Sequence, residues 1–301
     1  MRRCVLIGAG LGALALACLV GPPRQAHAGK TRSNVVRIGL VETLFRDTPE
    51  PMVQVMMRPF KSLLQEQTGM VGQLVSGGDA EALGRSLKND RVQLGVFHGF
   101  EFAWARIKNP DLKPLLIAVN RDRVLRAHLV VRRDSKFTTP GDLRKRSVAL
   151  PRLSREHCRL FFERRCVQPG MTPEQFFARV HTPDDIEDAL DDVVDGNVHA
   201  AVVDAVSLDN FRKFKPGRAA KLRTLLRSEP FPCAVVAYQR GALSEDLLRR
   251  LKAGLIAARN DPRGKQLLAM SRITCFEAVP ANYEGQLEDI ARAYPPPTPS
   301  E

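Results

Sequence analysis

The sequence predicts an α/β protein built of two units, each a mostly parallel sheet flanked by helices. Three observations carry this. From Val35 to Val119, short apolar runs alternate with amphipathic segments in the order strand, helix, strand, helix, strand, helix, strand. That order builds a parallel sheet with helical crossovers. After the charged connector Arg121–Arg126 the same alternation starts again at Leu129. The chain has 301 residues, of which 44% are hydrophobic and 26% charged, enough to bury one large core or two smaller ones.

Each element follows from its own residues. Val35–Val41 is nearly continuous apolar sequence, as a buried parallel strand requires. Met52, Val53, Met56, Phe60, Leu63 and Leu64 follow at helical spacing, with Pro59 expected to kink or restart the helix. Gly72–Gly77 reads as a second strand, closed by Ser76-Gly-Gly-Asp, and Asp79 is placed to cap the helix that carries Ala80, Leu83 and Leu87. Val92–Phe97 is a third strand, His98-Gly-Phe-Glu turns into a helix through Trp104 and Ile107, and Leu112–Val119 is a fourth strand. In the second unit, Leu129–Val131, Ser147–Leu150, Phe177–His181 and Ala200–Asp204 read as strands. The helix between the last two shows Ile186, Ala189, Leu190, Val193 and Val194 on one face, with Gly196 just past its end. Leu222–Leu226 and Ala234–Tyr238 lead out of this unit. Helices follow at Ser244–Asn260 and Pro262–Met270, then apolar Ile273–Val279, and a last helix carries Leu287, Ile290 and Tyr294. The proline-rich segment 295–301 reads as a disordered tail.

The formal net charge is +13. Met1–Ala28 has the form of a secretory signal: Arg2-Arg3, the apolar Cys4–Val20, and Ala26-His27-Ala28 as cleavage site. Its removal takes away Arg2, Arg3 and Arg24 and leaves +10. The expected location is therefore periplasmic or otherwise extracytoplasmic. Cys18 offers an alternative, lipid-anchored route, although Ala15 stands where a lipobox prefers Leu. A mature chain this basic favours anionic ligands. The excess is scattered rather than gathered in one block, which argues against a nucleic-acid arm. Cys158, Cys166, Cys233 and Cys275 lack metal-ligand spacing and read as buried thiols, with a Cys233–Cys275 bridge left open.

Catalytic signatures are absent: there is no G-x-S-x-G, P-loop, G-x-G-x-x-G or H-E-x-x-H. Ser154 and His157, three apart, read as a capping residue and a surface histidine rather than a dyad. No cofactor or metal is expected, and the protein is not expected to be an enzyme. Binding is the better reading. In Thr139–Phe162, a short strand feeds a helix through the basic, hydroxyl-bearing Pro151-Arg-Leu-Ser-Arg, and free N–H groups at a helix start suit an anion.

The segments Val36-Arg-Ile-Gly-Leu, Arg58-Pro-Phe-Lys-Ser-Leu-Leu, Asn89-Asp-Arg-Val-Gln-Leu-Gly-Val-Phe-His-Gly and His128-Leu-Val-Val-Arg-Arg-Asp-Ser stand in that order along the chain. Gly141-Asp-Leu-Arg-Lys-Arg-Ser-Val-Ala, Asp195-Gly-Asn-Val-His-Ala-Ala-Val-Val-Asp and Leu226-Arg-Ser-Glu-Pro-Phe-Pro continue the series. In order and spacing they resemble the PhnD-like phosphate/phosphonate periplasmic substrate-binding proteins of ABC transporters, from about Val35 to Tyr294. The resemblance implies a two-lobed, type II periplasmic-binding fold. Lobe I would comprise 33–126 and 240–294, and lobe II 127–239, with chain crossings near Arg126–His128 and Tyr238–Arg240. It implies a monomer that captures a small anion in an interlobe cleft for an ABC permease, without nucleic acid, and meets the membrane only through that permease or a lipid anchor.

Ligands in such folds sit at the carboxyl ends of the strands. The expected ligand-binding residues are therefore Glu42, Thr43, Ser76, Gly77, Phe97, His98, Gly99, Arg152, Ser154, Arg155, His157, His181 and Asp204. Two departures stand out. Arg152-Leu-Ser-Arg-Glu-His replaces the family's Ser-Thr-Ser-Gly-Tyr-like run, and Asp204-Ala205 keeps one carboxylate of the family's acidic pair. The expected ligand is a phosphonate, phosphate ester or related oxyanion, and arginine in that loop shifts the preference toward a more highly charged one, such as a dianionic phosphate ester or a carboxylated phosphonate. The altered loop also motivates an alternative: a ligand-sensing or scaffold protein of the same fold, working with a sensor kinase.

Overall fold

The computed structural model describes residues 34–46 and 48–297. The expected signal segment, Cys18 and the last four residues of the tail lie outside them. β1 (Val35–Leu40) leads through a 3-10 turn at Glu42–Phe45 into α1 (Glu50–Met56) and α2 (Arg58–Thr68). β2 (Val71–Ser76), α3 (Ala80–Lys88), β3 (Leu94–Phe97), α4 (Gly99–Lys108) and β4 (Leu112–Val119) complete the first run. Next come β5 (Val124–Leu125), β6 (Ala127–Arg132), β7 (Ser147–Ala149), α5 (Glu156–Arg165), α6 (Pro173–Phe176), β8 (Arg179–His181) and α7 (Ile186–Asp195). β9 (Ala200–Asp204), α8 (Ala205–Phe214), α9 (Pro216–Ala219) and β10 (Leu222–Arg227) close the middle of the chain. β11 (Phe231–Pro232) and β12 (Ala234–Gln239) lead to α10 (Glu245–Ala257), α11 (Pro262–Met270), β13 (Cys275–Glu277) and α12 (Tyr283–Ala293).

Local chemistry sets many of these boundaries. Pro59 sits in the first turn of α2 and restarts the helix that α1 began, since proline lacks the N–H that an interior position needs. Asp79, Asp185, Asp204, Ser244 and Asp261 cap α3, α7, α8, α10 and α11, each side chain accepting a backbone N–H of the first turn. Gly196, at φ 80°, ends α7 in the left-handed conformation that glycine takes without steric cost.

Two main sheets result, in the orders β13-β4-β12-β3-β1-β2 and β10-β6-β9-β7-β8. Each is parallel in one part, β2-β1-β3 and β8-β7-β9, and antiparallel in the rest. The parallel portions match the strand-helix-strand alternation. β6 and β12, the strands the chain reaches by crossing from one sheet to the other, run antiparallel to both their neighbours. β12 lies between β3 and β4 in the first sheet rather than at the exit of the second unit. Its apolar run declares a buried strand without declaring which sheet buries it. β5 and β11, on the two passages, pair antiparallel, with Phe231 opposite Leu125.

α10 and α11 pack on α2, and α12 packs on α4. One core fills the face of the first sheet under α2, α10 and α11. A larger one runs from α4 and α12 through Phe231 to α5 and the second sheet. No helix among the described residues is long and apolar enough to cross a membrane. Cys158, Cys166, Cys233 and Cys275 are free thiols, so the open Cys233–Cys275 bridge is not formed. Burial pushes the first two well above the ordinary thiol value and Cys233 up to about 12.

Candidate functional site

A cavity of about 560 Å³ opens between the two sheets, lined from both. Its floor is made of side chains on the first sheet. Leu40 pairs with Val96 and Val96 with Val236, while Ala118 stands between Ala234 and Phe276. Leu40 and Val96 lie at the C-terminal ends of β1 and β3, where the parallel part of the sheet delivers its loops.

α4 and α5 begin at this cavity without a side-chain cap, as α2 does at Met57. His98 is the N-cap residue of α4 and Arg155 that of α5, and neither side chain accepts a first-turn N–H. Glu156 and His157 line the cavity, so the leading N–H groups of α5 and the positive end of its dipole are left for whatever occupies it, while α4 contributes its cap residue, His98. Two lining side chains carry buried atoms with no hydrogen-bond partner among the described residues: Ser154 Oγ and His98 Nε2. Arg155 adds a charge. It donates to the Arg272 carbonyl at 3.4 Å, and among the described residues no carboxylate pairs with either arginine. Burial pushes His98 down to about 4, partly offset by Glu156 and by a hydrogen bond to the Thr43 backbone. The ring is therefore neutral near pH 7. A neutral ring that donates toward the Thr43 backbone offers Nε2 as an acceptor.

Around this centre the charges are paired. Arg46 donates to both carboxylate oxygens of Glu156, at 3.1 Å from Nε to Oε2, and ties the loop after β1 to the start of α5. The Thr43 hydroxyl donates to Glu101, 2.8 and 2.9 Å from its two oxygens. Burial raises the Glu101 carboxyl to about 7, with Glu156 adding to the effect and Thr43 and Arg46 opposing it.

Of the residues expected from the sequence, the cavity brings together Thr43, His98, Arg152, Ser154, Arg155 and His157. The others serve elsewhere. Phe97 is fully buried core. Gly77 and Gly99 do allow close backbone approach, but to protein: a Cβ on them would come within 2.4 Å of the Leu40 carbonyl oxygen and 2.3 Å of that of Pro232. Asp204 caps α8 and accepts the Ser207 hydroxyl at 2.6 Å. His181 lies 3.5 Å from Asp192. Glu42 opens the 3-10 turn and Ser76 ends β2, both outside the cavity lining. Arg152 reaches outward to Asp184 at 2.6 Å, with both side chains exposed.

Ser154 and His157 also differ from their expected places. Ser154 lies one residue before the cap and leaves α5 uncapped. His157 is buried, not on the surface, its ring 5.5 Å from that of Phe231. Burial pushes it down to about 4 against the opposing pull of Asp204. The apolar side chain of Phe231 comes from the passage between sheets, which helical periodicity around His157 does not reveal.

Sequence reasoning missed Arg272 and Glu101. Arg272 follows α11 at φ 52°, a left-handed position usually given to glycine, and it lines the cavity. Glu101 is a lone acid in the apolar run Phe100-Glu-Phe-Ala-Trp, and that run was its one signal in the sequence.

Two lobes of mixed sheet flanked by helices, with an anion-suited cavity between them, define a type II periplasmic-binding fold. Solved structures agree. XAC2383 from Xanthomonas citri, bound to chloride ion in one structure and ATP in another, superposes with TM-score 0.58 in each. Identity is 19% and 18%, covering 87% of this chain and 98% and 97% of that one. PhnD1 from Prochlorococcus marinus, in complex with methylphosphonate, gives TM-score 0.56 at 15% identity, covering 87% and 98%. A binding-protein component of an ABC phosphonate transporter from Pseudomonas aeruginosa gives 0.52 at 16%, covering 84% and 85%. No curated protein matches in sequence. The family model described as ABC transporter, phosphonate, periplasmic substrate-binding protein matches residues 46–283, and the chain belongs to that family. Its members are binding components of transporters rather than enzymes, and membership implies an extracytoplasmic location.

Proposed function

We propose that the protein captures a phosphonate, phosphate ester or related oxyanion in this cavity and delivers it to an ABC permease, after export by cleavage of Met1–Ala28. The observation that carries the reading is the pair of uncapped helix starts, at His98 and Arg155, facing one cavity. An oxyanion there accepts the leading N–H groups of α5, the Ser154 hydroxyl and the Arg155 guanidinium. His98 Nε2, as an acceptor, takes a hydrogen bond from a P–OH group, which a sulfonate lacks near neutral pH. Relatives of the same fold hold anions: chloride and ATP in one, methylphosphonate in another. The passages through β5 and β11 supply the hinge, so the two lobes part there, with β12 on the first.

A thermal-shift screen of phosphate, phosphite, phosphonates, phosphate esters and sulfonates tests this. Phosphonates are expected to stabilise the protein and sulfonates of the same size to do so less. Removing one charge-assisted contact costs about 1.5–3 kcal/mol, so Arg155→Ala should bind roughly tenfold to hundredfold more weakly. Arg152→Ala, which loses only a solvated ion pair, should change affinity little. Absence of stabilisation by any of these anions well above micromolar concentration would count decisively against the reading.

A further inference from the structure

The cavity is larger than an oxyanion needs. A water's share of liquid volume is about 30 Å³, so a tetrahedral anion the size of five waters takes roughly 150 Å³. About 560 Å³ is present. The remaining lining is polar in part, from residues such as Arg46, Thr48, Asn120 and Ser271, and apolar in part. The apolar walls include Met56, Met57, Phe60, Leu267, Met270 and Phe276. Met57, Phe60, Leu267 and Phe276 are buried residues, so this end lies inside the first lobe, beneath α2 and α11. Water does not fill such a space well, because an ordered water needs two to four polar partners and these side chains offer none. Left empty, the space forfeits dispersion contacts along its whole lining, which close-packed interiors avoid. Three of the six walls are methionines, unbranched and polarizable, which adapt to apolar partners of differing shape.

We propose that the ligand is an amphiphilic oxyanion, a phosphonate or phosphate monoester whose alkyl or aryl substituent lodges between α2, α11 and the first sheet while its anionic head sits at the start of α5. This rests on the oxyanion reading and extends it to the rest of the ligand. The polar and apolar parts of the cavity are then matched by one molecule. The head satisfies Ser154 Oγ and Arg155, and the tail replaces missing packing among Met57, Phe60 and Met270. Discrimination among phosphonates and phosphate esters comes from the tail, since the head contacts are common to them.

Calorimetric titration of the wild-type protein with methyl-, butyl-, hexyl- and phenylphosphonate and with inorganic phosphate separates the two layers of the argument. Each buried methylene is expected to tighten binding by up to about fourfold, the equivalent of ~0.8 kcal/mol, so hexylphosphonate should bind at least about a hundredfold more tightly than methylphosphonate. Ala118→Leu, which builds into the chamber floor, should lower the hexyl-to-methyl affinity ratio at least tenfold. A flat series, with methylphosphonate as tight as hexylphosphonate, overturns the amphiphile and leaves the oxyanion reading standing. An unchanged ratio in Ala118→Leu overturns it in the same way. Binding of none of these compounds overturns both.

Discussion

At Glu101 a carboxyl is held 4% exposed beside a single hydroxyl donor, Thr43, with the Glu156 carboxylate nearby. Its folded value of about 7 lies above that of the unfolded chain, near 4.5. It therefore favours folding below pH 4.5, and that contribution is lost as pH rises through about 7. Glu101→Gln keeps the hydrogen bond and removes the charge. Urea unfolding should find the variant more stable at pH 8, by up to about 3 kcal/mol, and equal to wild type below pH 4.5. A variant less stable at pH 8 would mean that the charged form is wanted there. Arg272 poses a related question, because its left-handed backbone strains any residue but glycine. Neither residue was legible in the sequence as part of a site. Glu101 draws its meaning from Thr43, 58 positions away, and Arg272 from a backbone angle that no side-chain pattern encodes.

Helix starts are where sequence and function separate at the scale of elements. The capped helices were readable. Asp79, Ser244 and Gly196 stand where capping chemistry puts them, and the structure uses them so. α4 and α5 begin instead at histidine and arginine, poor caps, and both open on the cavity. Sequence reasoning found this loop from its basic and hydroxyl residues, yet it took Ser154 for the cap and His157 for a surface group. The cap is decided by backbone angles at Arg155, and the burial of His157 by Phe231, brought from the other side of the chain. Arg155→Ser would give α5 a cap. It should raise the stability of the unliganded protein by about 1 kcal/mol while weakening methylphosphonate binding, a gain and a loss measurable by urea unfolding and calorimetry on one variant. Loss of stability together with binding would show that Arg155 holds the fold through the Arg272 carbonyl rather than serving a ligand.

On the scale of the whole molecule, the two α/β units follow from alternation of apolar runs, and their closure does not. The passages are held by side chains far apart in sequence. Arg165 on α5 meets Glu229 at 2.6 Å and the Ala293 carbonyl at 3.0 Å, and Tyr294 donates to the same glutamate at 2.6 Å. Trp104 donates to the Tyr294 carbonyl at 2.7 Å. Between and beside the sheets, burial pushes His98, His128 and His157 each down to about 4. Their folded values lie below the unfolded one. The stability they contribute is present above about pH 6.5 and is lost as pH falls toward 4. Three such groups outweigh the opposing raised carboxyls of Glu101, Glu163 and Asp188, so the urea midpoint should fall between pH 7 and pH 4.5. A midpoint that holds steady or rises across that interval would mean the histidines are not buried as neutral rings.

The central claim is that the uncapped starts of α4 and α5 form one oxyanion site. A crystal structure of the protein grown with methylphosphonate tests it most directly. The phosphonyl oxygens are expected within hydrogen-bond reach of Ser154 Oγ, the Arg155 guanidinium and the first N–H groups of α5, with one oxygen on His98 Nε2. A phosphonate bound elsewhere on the protein, with Ser154 and His98 still unpartnered, would contradict the account.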